Sequence, residues 1–385
     1  MKRESFIFYA LFLLIGYGCT HEKPEKYGFI HATYSVGGRL KNPEEIRQSD
    51  FRQIQFVYLM AAPKLEMADF AKEKQYILDK YVNHHSYPSG NQGNALVPSL
   101  IRKVHEDGSK ILISFPGTDF NRIVPIPEER RKFAAMMVQF AQKYKYDGVE
   151  VDWEQTVTPE FHLLLMQDIR KELDALSGKD GRTYYLTTAL NSGHSYTPAL
   201  ADSLSRYVDW INLMMYDMGG GIWGEVATHN TPLAHIQEIV ENRWGVFDPQ
   251  KLCIGLASYG FYYQGVLPGL RVTGNLKDYG RYFDYNELPP LLKAGWTEEY
   301  DSVQNVPYYF SPDKKEFVTI DNLKSLEKKM DWIKKRNYKG IFWWEFHSDF
   351  QPATDGKTKG THHFMDFATE YISKQMKTTG KLVAH

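Results

Sequence analysis

The run Tyr146-Asp147-Gly148-Val149-Glu150-Val151-Asp152-Trp153-Glu154 places acidic residues at 150, 152 and 154, alternating with Val151 and Trp153. In a β-strand, residues two apart share a face. The spacing therefore aims three carboxyl groups one way and apolar groups the other. Like charges crowded on a buried face are costly without partners. They are useful to an enzyme, because crowding spreads carboxyl pKa values and keeps one group protonated near neutrality. A solvated acidic edge strand is the alternative reading, but Tyr146, Val149, Val151 and Trp153 suit a buried strand. Residues two apart advance about 6.6 Å along a strand. Glu154 should then stand highest as an acid, Asp152 just below it and Glu150 deeper, with Glu150 and Asp152 retaining a proton between them.

The rest of the chain supplies elements to hold this strand. Strand-like runs fall at 29–34, 54–60, 110–115, 148–153, 184–190, 208–216, 251–257 and 340–346. Most are continuously apolar, as parallel strands covered on both faces are. Helical spacing of apolar residues marks 95–106, 127–144, 232–244 and a last helix that Asp321 should cap. Thr158-Pro159-Glu160 opens a helix to about Leu176. Eight strand–helix units predict an α/β fold, a closed (β/α)8 barrel, with a doubly wound open sheet as the alternative. Two stretches break the rhythm. The polar segment 63–93 follows the second strand and is placed over the barrel mouth. The Tyr-, Gly- and Pro-rich segment 260–320 is too long for a connection and reads as a small α+β insertion.

The carboxyl ends of barrel strands carry active sites. Tyr216 and Asp217 end the sixth strand and the Trp343-Trp344 pair ends the eighth, so they belong at the same mouth as Glu154. A tryptophan face suits stacking on a sugar ring. The paired histidines His84-His85 and His362-His363 are read as surface residues, since adjacent side chains rarely converge on one ion.

The chain has 385 residues, 43% hydrophobic and 24% charged, with a net charge of -1. It can bury a core, and it lacks the basic excess of a nucleic-acid or anionic-membrane surface. Lys2 and Arg3 precede an apolar run from Phe6 to Ile15, followed by Gly16, Gly18 and Cys19. This is a secretory signal, and its end resembles a bacterial lipoprotein signal with Cys19 as the lipidated N-terminus. Ordinary cleavage with an incidental cysteine is the alternative. Cys253, the other cysteine, reads as a buried apolar residue. The chain thus divides into a signal (1–18), a tether (19–26), a barrel (27–259 and 321–375) and the insertion (260–320).

The run Asp147–Glu154 resembles the DGxDxDWE signature of glycoside hydrolase family 18, the chitinase family. Ile113-Ser114-Phe115-Pro116-Gly117 resembles its third-strand motif, Met214-Met215-Tyr216-Asp217 its sixth and Gly255-Leu256-Ala257-Ser258-Tyr259-Gly260 its seventh. Pro307-Tyr308-Tyr309 and the stretch from Thr319 through Trp344 resemble the end of its insertion domain and its last helix and strand. The resemblance implies a barrel that hydrolyses β-1,4 linkages next to N-acetylglucosamine with retention, by substrate-assisted catalysis. It implies Glu154 as acid and base, Asp152 as the group that orients the acetamido substituent, Asp147 and Glu150 as its supports, and Tyr216 as donor to the acetamido oxygen. It also implies substrate contacts from Asp217, Met214, Trp344, Tyr34 and Tyr259, with no metal or organic cofactor required. The partners so implied are glycans containing N-acetylglucosamine; the lipoprotein-like signal separately implies a lipid anchor in the bacterial envelope, periplasmic or at the cell surface.

Three positions depart from the family pattern. Glu150 replaces an aspartate, which is expected to move its carboxyl toward Asp152 or to force a different rotamer. Phe115-Pro116 replaces small residues, which is expected to reshape the pocket floor. Phe261 stands where many relatives carry arginine. Chitin or chitooligosaccharides are the first substrate reading. An endo-β-N-acetylglucosaminidase on N-glycan cores and a non-catalytic glycan-binding protein are the alternatives.

Overall fold

The computed structural model describes residues 28–62, 96–117, 120–154, 157–219, 225–272, 276–355 and 358–378. The signal, Cys19, the tether, segment 63–93 and His84-His85 lie outside the described residues. The chain opens with β1 (Ile30–Val36), β2 (Phe56–Met60), β3 (Lys110–Pro116) and β4 (Gly148–Asp152). It continues with β5 (Tyr185–Asn191), β6 (Trp210–Met214) and β7 (Leu252–Ala257). Strands β8 (Tyr259–Gln264), β9 (Gly280–Asp284), β10 (Thr297–Asp301), β11 (Val306–Phe310) and β12 (Glu316–Thr319) follow before β13 (Gly340–Trp344). The parallel strands close in the order β1-β13-β7-β6-β5-β4-β3-β2, a (β/α)8 barrel rather than an open sheet.

Strand alternation sorts side chains into two layers. Val149, Val151 and Trp153 pack outward with Leu165, Ile169 and Phe133 of the surrounding helices. Tyr34, Phe56, Tyr58, Leu112, Trp210 and Phe342 fill the barrel interior. The same alternation separates the tryptophan pair: Trp343 is fully buried outside the barrel and donates from Nε1 to His31 Nε2 at 2.9 Å, whereas Trp344 turns inward. Gly148 is required where β4 passes β5, because a Cβ there would lie 2.1 Å from the Tyr185 carbonyl oxygen.

Several sequence expectations are corrected. The helix opened by Pro159 runs to Asp180 and stops at Gly181, whose φ of 72° suits a residue without Cβ. The segment after Pro232 is α-helical over Leu233–Ile239 and then widens into a π turn over Val240–Trp244. Asn322, not Asp321, caps the helix Leu323–Lys335: its side chain accepts from Ser325 N. Asp321 is instead buried and ion-paired with Lys329. His362 is not a surface residue; it is buried against Asp349 Oδ1 at 2.9 Å, while its neighbour His363 is exposed. Helices Pro43–Gln48 and Pro198–Ser205 are additional to those expected, although Asn42 and Thr197 cap them through their side chains ahead of a first-turn proline.

The insertion begins at Tyr259, with Ser258 between β7 and β8. Its five-stranded antiparallel sheet has the order β10-β11-β12-β8-β9. Ser258 is held on three sides: its N–H donates to Trp344 O (2.9 Å), its hydroxyl to Glu345 O (2.7 Å), and its carbonyl accepts from Tyr285 N (3.2 Å). The last strand, β12, pairs with the first, β8, placing Thr319 opposite Phe261. Phe261 is fully buried in the insertion core beside Tyr263, Phe317 and Val272, so it makes no polar contact with the cleft. Among the described residues no helix is long and apolar enough to cross a membrane.

Candidate active site

At the carboxyl ends of the barrel strands a cleft of about 980 Å³ is lined by Glu154, Met214, Tyr216, Asp217, Tyr259 and Trp344, among others. The predicted contacts at 154, 214, 216, 217, 259 and 344 are thus gathered at one mouth. Strand β4 ends at Asp152, so Glu154 lies just beyond the ladder and is not held by strand pairing. Its main chain is held from the end of β5 and the loop after it. Asn191 Nδ2 and His194 Nε2 each donate to the Glu154 carbonyl at 3.1 Å, and Asn191 N donates to His194 Nδ1 at 3.3 Å. Both histidine contacts require the Nε2-protonated neutral imidazole, which burial favours by lowering the His194 pKa. A second chain steadies β4 from outside. Thr188 donates to Val151 O at 2.8 Å, and His162 bridges Thr188 (3.0 Å) to the Tyr196 hydroxyl (2.6 Å).

The acids occupy distinct environments. Glu150 is wholly buried and its two oxygens are satisfied separately: Tyr34 donates to Oε2 at 2.6 Å, and Asn212 (2.8 Å) and Thr187 (3.3 Å) donate to Oε1. Burial still pushes this carboxyl up to about 7. Among the described residues no hydrogen bond joins Glu150 to Asp152, so the longer side chain reaches across the barrel to Tyr34 rather than toward its neighbour. Asp152 is buried, and its Oδ1 has no partner among the described residues. Burial, then the charges of Glu154 and Glu150, hold its carboxyl well above the usual range. Glu154 is half-buried, and burial raises its pKa too. Two neighbouring carboxyl groups with raised pKa values at the barrel mouth are an arrangement suited to general acid catalysis.

Two predicted residues sit elsewhere. Asp147 precedes β4 at the opposite end of the barrel, where His105 Nε2 (2.8 Å), Ile111 N (3.0 Å) and Arg182 Nη2 (3.1 Å) surround its carboxylate. The length of β4 separates it from Asp152 by about 16 Å, so it cannot contact that group. Tyr34 lies beneath the cleft rather than in its lining; it supports Glu150 and packs its ring 5.3 Å from Trp344. Phe115 likewise misses the pocket floor. It points to the helices, with its ring 5.9 Å from Phe140, because it alternates with inward-facing Ser114.

The opposite face of the site is made by β6 and the insertion. Tyr216 is buried and its hydroxyl has no partner among the described residues. Asp217 adopts φ of 59°, a left-handed conformation that aspartate tolerates, and its N–H donates to Asn230 Oδ1 at 2.7 Å. The Tyr259 hydroxyl donates to Asp217 Oδ1 at 2.6 Å. Burial raises Asp217 to about 6 against the lowering effect of that bond, with Glu154 adding to the rise. The sequence reading missed Asn191, His194, Arg39, Tyr282 and Asp284. All five line the cleft from strand ends, loops or the insertion, where no periodic pattern marks them. Arg39 Nη1 contacts Glu345 Oε1 (2.9 Å), Ser348 Oγ (3.2 Å) and Asp284 Oδ1 (3.3 Å), and its Nη2 pairs with Asp284 Oδ2. No cluster of three or more His, Cys, Asp or Glu among the described residues could hold a metal ion.

Comparison with known proteins supplies the family. The chain is 29% identical over 312 residues to Chitinase A1 of Niallia circulans, which covers 68% of this chain and 44% of that protein's length. It is 25% identical over 355 residues to Endochitinase 1 of Metarhizium robertsii, covering 84% of this chain and 82% of the relative. A glycoside hydrolase family 18 N-acetylglucosaminidase structure from Paenibacillus barengoltzii superposes with a TM-score of 0.64 at 22% identity, covering 89% of this chain and 99% of that one. A GH18 chitinase from Cycas revoluta in complex with (GlcNAc)4 superposes with a TM-score of 0.70 at 18% identity over 89% of this chain and 99% of that one. These superpositions establish the shared fold. Residues 51–349 match the model of the glycosyl hydrolases family 18, and the chain belongs to that family.

Proposed function

We propose that this glycoside hydrolase cleaves β-1,4 linkages next to N-acetylglucosamine in chitin or chitooligosaccharides, with retention of anomeric configuration. The observation that carries the reading is the convergence of Glu154 and the unpartnered Tyr216 hydroxyl with Trp344 at one cleft, with buried Asp152 two residues before Glu154 at the end of β4. The sugar's acetamido oxygen attacks the anomeric carbon as the glycosidic C–O bond breaks, and Glu154 gives its proton to the departing oxygen. Asp152 accepts from the acetamido N–H and stabilises the positive charge of the oxazolinium ion. Tyr216 donates to the acetamido oxygen and orients it for attack. Water then gives a proton to Glu154 and opens the ion at the same face. The raised pKa of Glu154 supports its starting as the protonated acid. We further propose that Cys19 bears a lipid and that the tether holds the enzyme at the bacterial envelope.

The test compares wild type with Glu154→Gln on N-acetylglucosamine oligomers and on glycoproteins, with products identified by mass spectrometry. Loss of proton transfer should lower kcat by roughly 10²- to 10⁴-fold. Equal product from both proteins would remove the catalytic assignment. Glycan release from glycoproteins without oligomer cleavage would transfer the substrate to N-glycan cores.

A further inference from the structure

Glu154 leaves the barrel where its strand stops guiding it. Asp152 is the last residue of β4: it lies opposite Ala189 of β5, and its carbonyl accepts from Gly117 N at 2.8 Å. Trp153 is then fixed by burial, its ring in edge contact with Phe120 at 5.3 Å and with His162 at 6.0 Å. The Glu154 carbonyl receives two side-chain donors, Asn191 Nδ2 and His194 Nε2, each at 3.1 Å. A carbonyl oxygen has two lone pairs, so one fixed donor for each orients the peptide plane that follows Glu154. Buried Trp153 holds the plane before it. With both planes set, the Cα–Cβ direction of Glu154 is set too, and with it the region its carboxyl can reach.

The two donors are themselves locked. Asn191 Oδ1 accepts from Gly193 N (2.9 Å), Asn191 O from His194 N (3.3 Å), and His194 Nδ1 from Asn191 N (3.3 Å). These bonds close a turn within four residues and turn the His194 Nε2–H toward Glu154. Arg243 Nη1, from the π turn Val240–Trp244, donates to Ser192 O from outside the turn. Burial keeps the imidazole neutral against the effect of the Glu154 carbonyl bond, and the Arg243 charge adds to it. His194 is buried and Asn191 half-buried, and both line the cleft beside the acid. Preorganised support of this kind holds a reacting group in place at no cost when the reaction occurs.

We propose that Asn191 and His194 are positioning residues for the acid: acting through the Glu154 main-chain carbonyl, they aim its carboxyl at the glycosidic oxygen without contributing to sugar affinity. Both roles rest on the reading of Glu154 as the proton donor. The turn after β5 then owns a share of kcat and none of the binding energy. Its two donors work on one oxygen, so the loss of either leaves the peptide plane free to rotate.

The experiment measures kcat and KM on N-acetylglucosamine oligomers for wild type, His194→Leu, His194→Gln and Asn191→Ala. Calorimetric binding of the same oligomers is measured in a Glu154→Gln background, with and without His194→Leu. A misplacement of about 1 Å costs on the order of 10²-fold in rate, so His194→Leu should lower kcat by roughly that factor while KM and oligomer binding hold. His194→Gln, whose amide N–H reaches the place of Nε2–H, should recover most of the loss. Asn191→Ala, at a half-buried position, should show the same split and carries the test if His194→Leu does not fold. Equal kcat for His194→Gln and His194→Leu would overturn the proposal, since the loss would then come from packing and not from the bond. Raised KM and weakened binding at unchanged kcat would also overturn it, by making the two residues substrate contacts. An active wild type with unimpaired variants would remove the positioning role alone. A wild type that cleaves neither oligomers nor glycoproteins would remove the acid role of Glu154 and the positioning role together.

Discussion

Replacing Glu150 with glutamine isolates the energetic cost of a buried acid. The carboxyl sits at about 7 in the folded protein, against an ordinary 4.5, because burial disfavours its charge. Between those values the folded chain binds more protons than the unfolded chain, so stability falls as pH rises through the window. Below it the group costs nothing; above it the cost is complete, at about 3 kcal/mol for a shift of this size. Glutamine keeps the shape: its oxygen accepts from Asn212, and its amide donates to the Tyr34 oxygen, reversing the bond that Tyr34 donates to Glu150. It carries no charge at any pH. Urea unfolding followed by tryptophan fluorescence should therefore show Glu150→Gln gaining about 2.5 kcal/mol on wild type between about pH 5 and about pH 8. The variant should also lower the pKa of Asp152, which loses a nearby negative charge, and move the pH–rate profile to the acid side. Parallel stability curves for the two proteins across this range would refute the account of Glu150 as an acid ionised against its surroundings.

Asp217→Asn keeps the acceptor for Tyr259 but removes a carboxyl whose pKa the charge of Glu154 raises; repulsion between the two is mutual, so the basic limb of kcat/KM should move down by up to about one pH unit, and an unmoved limb would uncouple the two acids. Lys329→Met strips the buried partner from Asp321, leaving Thr231 and Ser325 as its bonds; urea unfolding should register a loss of about 3–5 kcal/mol, largely restored by adding Asp321→Leu. Cys19→Ser should move the protein from the detergent phase to the aqueous phase in a phase-partition assay, and identical partition of both forms would end the anchor proposal.

The strands and the acids were legible because their chemistry is periodic. Val149, Val151 and Trp153 mark one face of β4 and Glu150 and Asp152 the other, so strand, register and depth follow from adjacent residues. Trp344 was singled out from its neighbour Trp343 by the family resemblance, and strand alternation then separates the two in the structure. Asp147 misled because it belongs to the same motif but precedes the strand, and distance along the barrel axis outweighs proximity in sequence. His362 misled because its partner, Asp349, comes from a separate segment. Phe115 misled because a motif comparison ignores which face a residue takes. Asn191, His194, Arg39 and Tyr282 reach the cleft from strand ends, a loop and an inserted sheet, and their positions follow from tertiary assembly alone.

The pairing of β12 with β8 has a consequence for how this enzyme can vary. The insertion leaves the barrel after Ser258 and returns beside its own first strand, with Thr319 opposite Phe261. From the barrel's side, this long segment thus closes like a tight hairpin, and the entropy of closing the loop is set at the stem. Residues can be gained or lost at the far end, between β8 and β9 or between β11 and β12, without loosening the ring that carries the acids. The height and lining of one cleft wall can drift while the reacting centre stays fixed, so substrate preference and chemistry are inherited on separable parts of one chain.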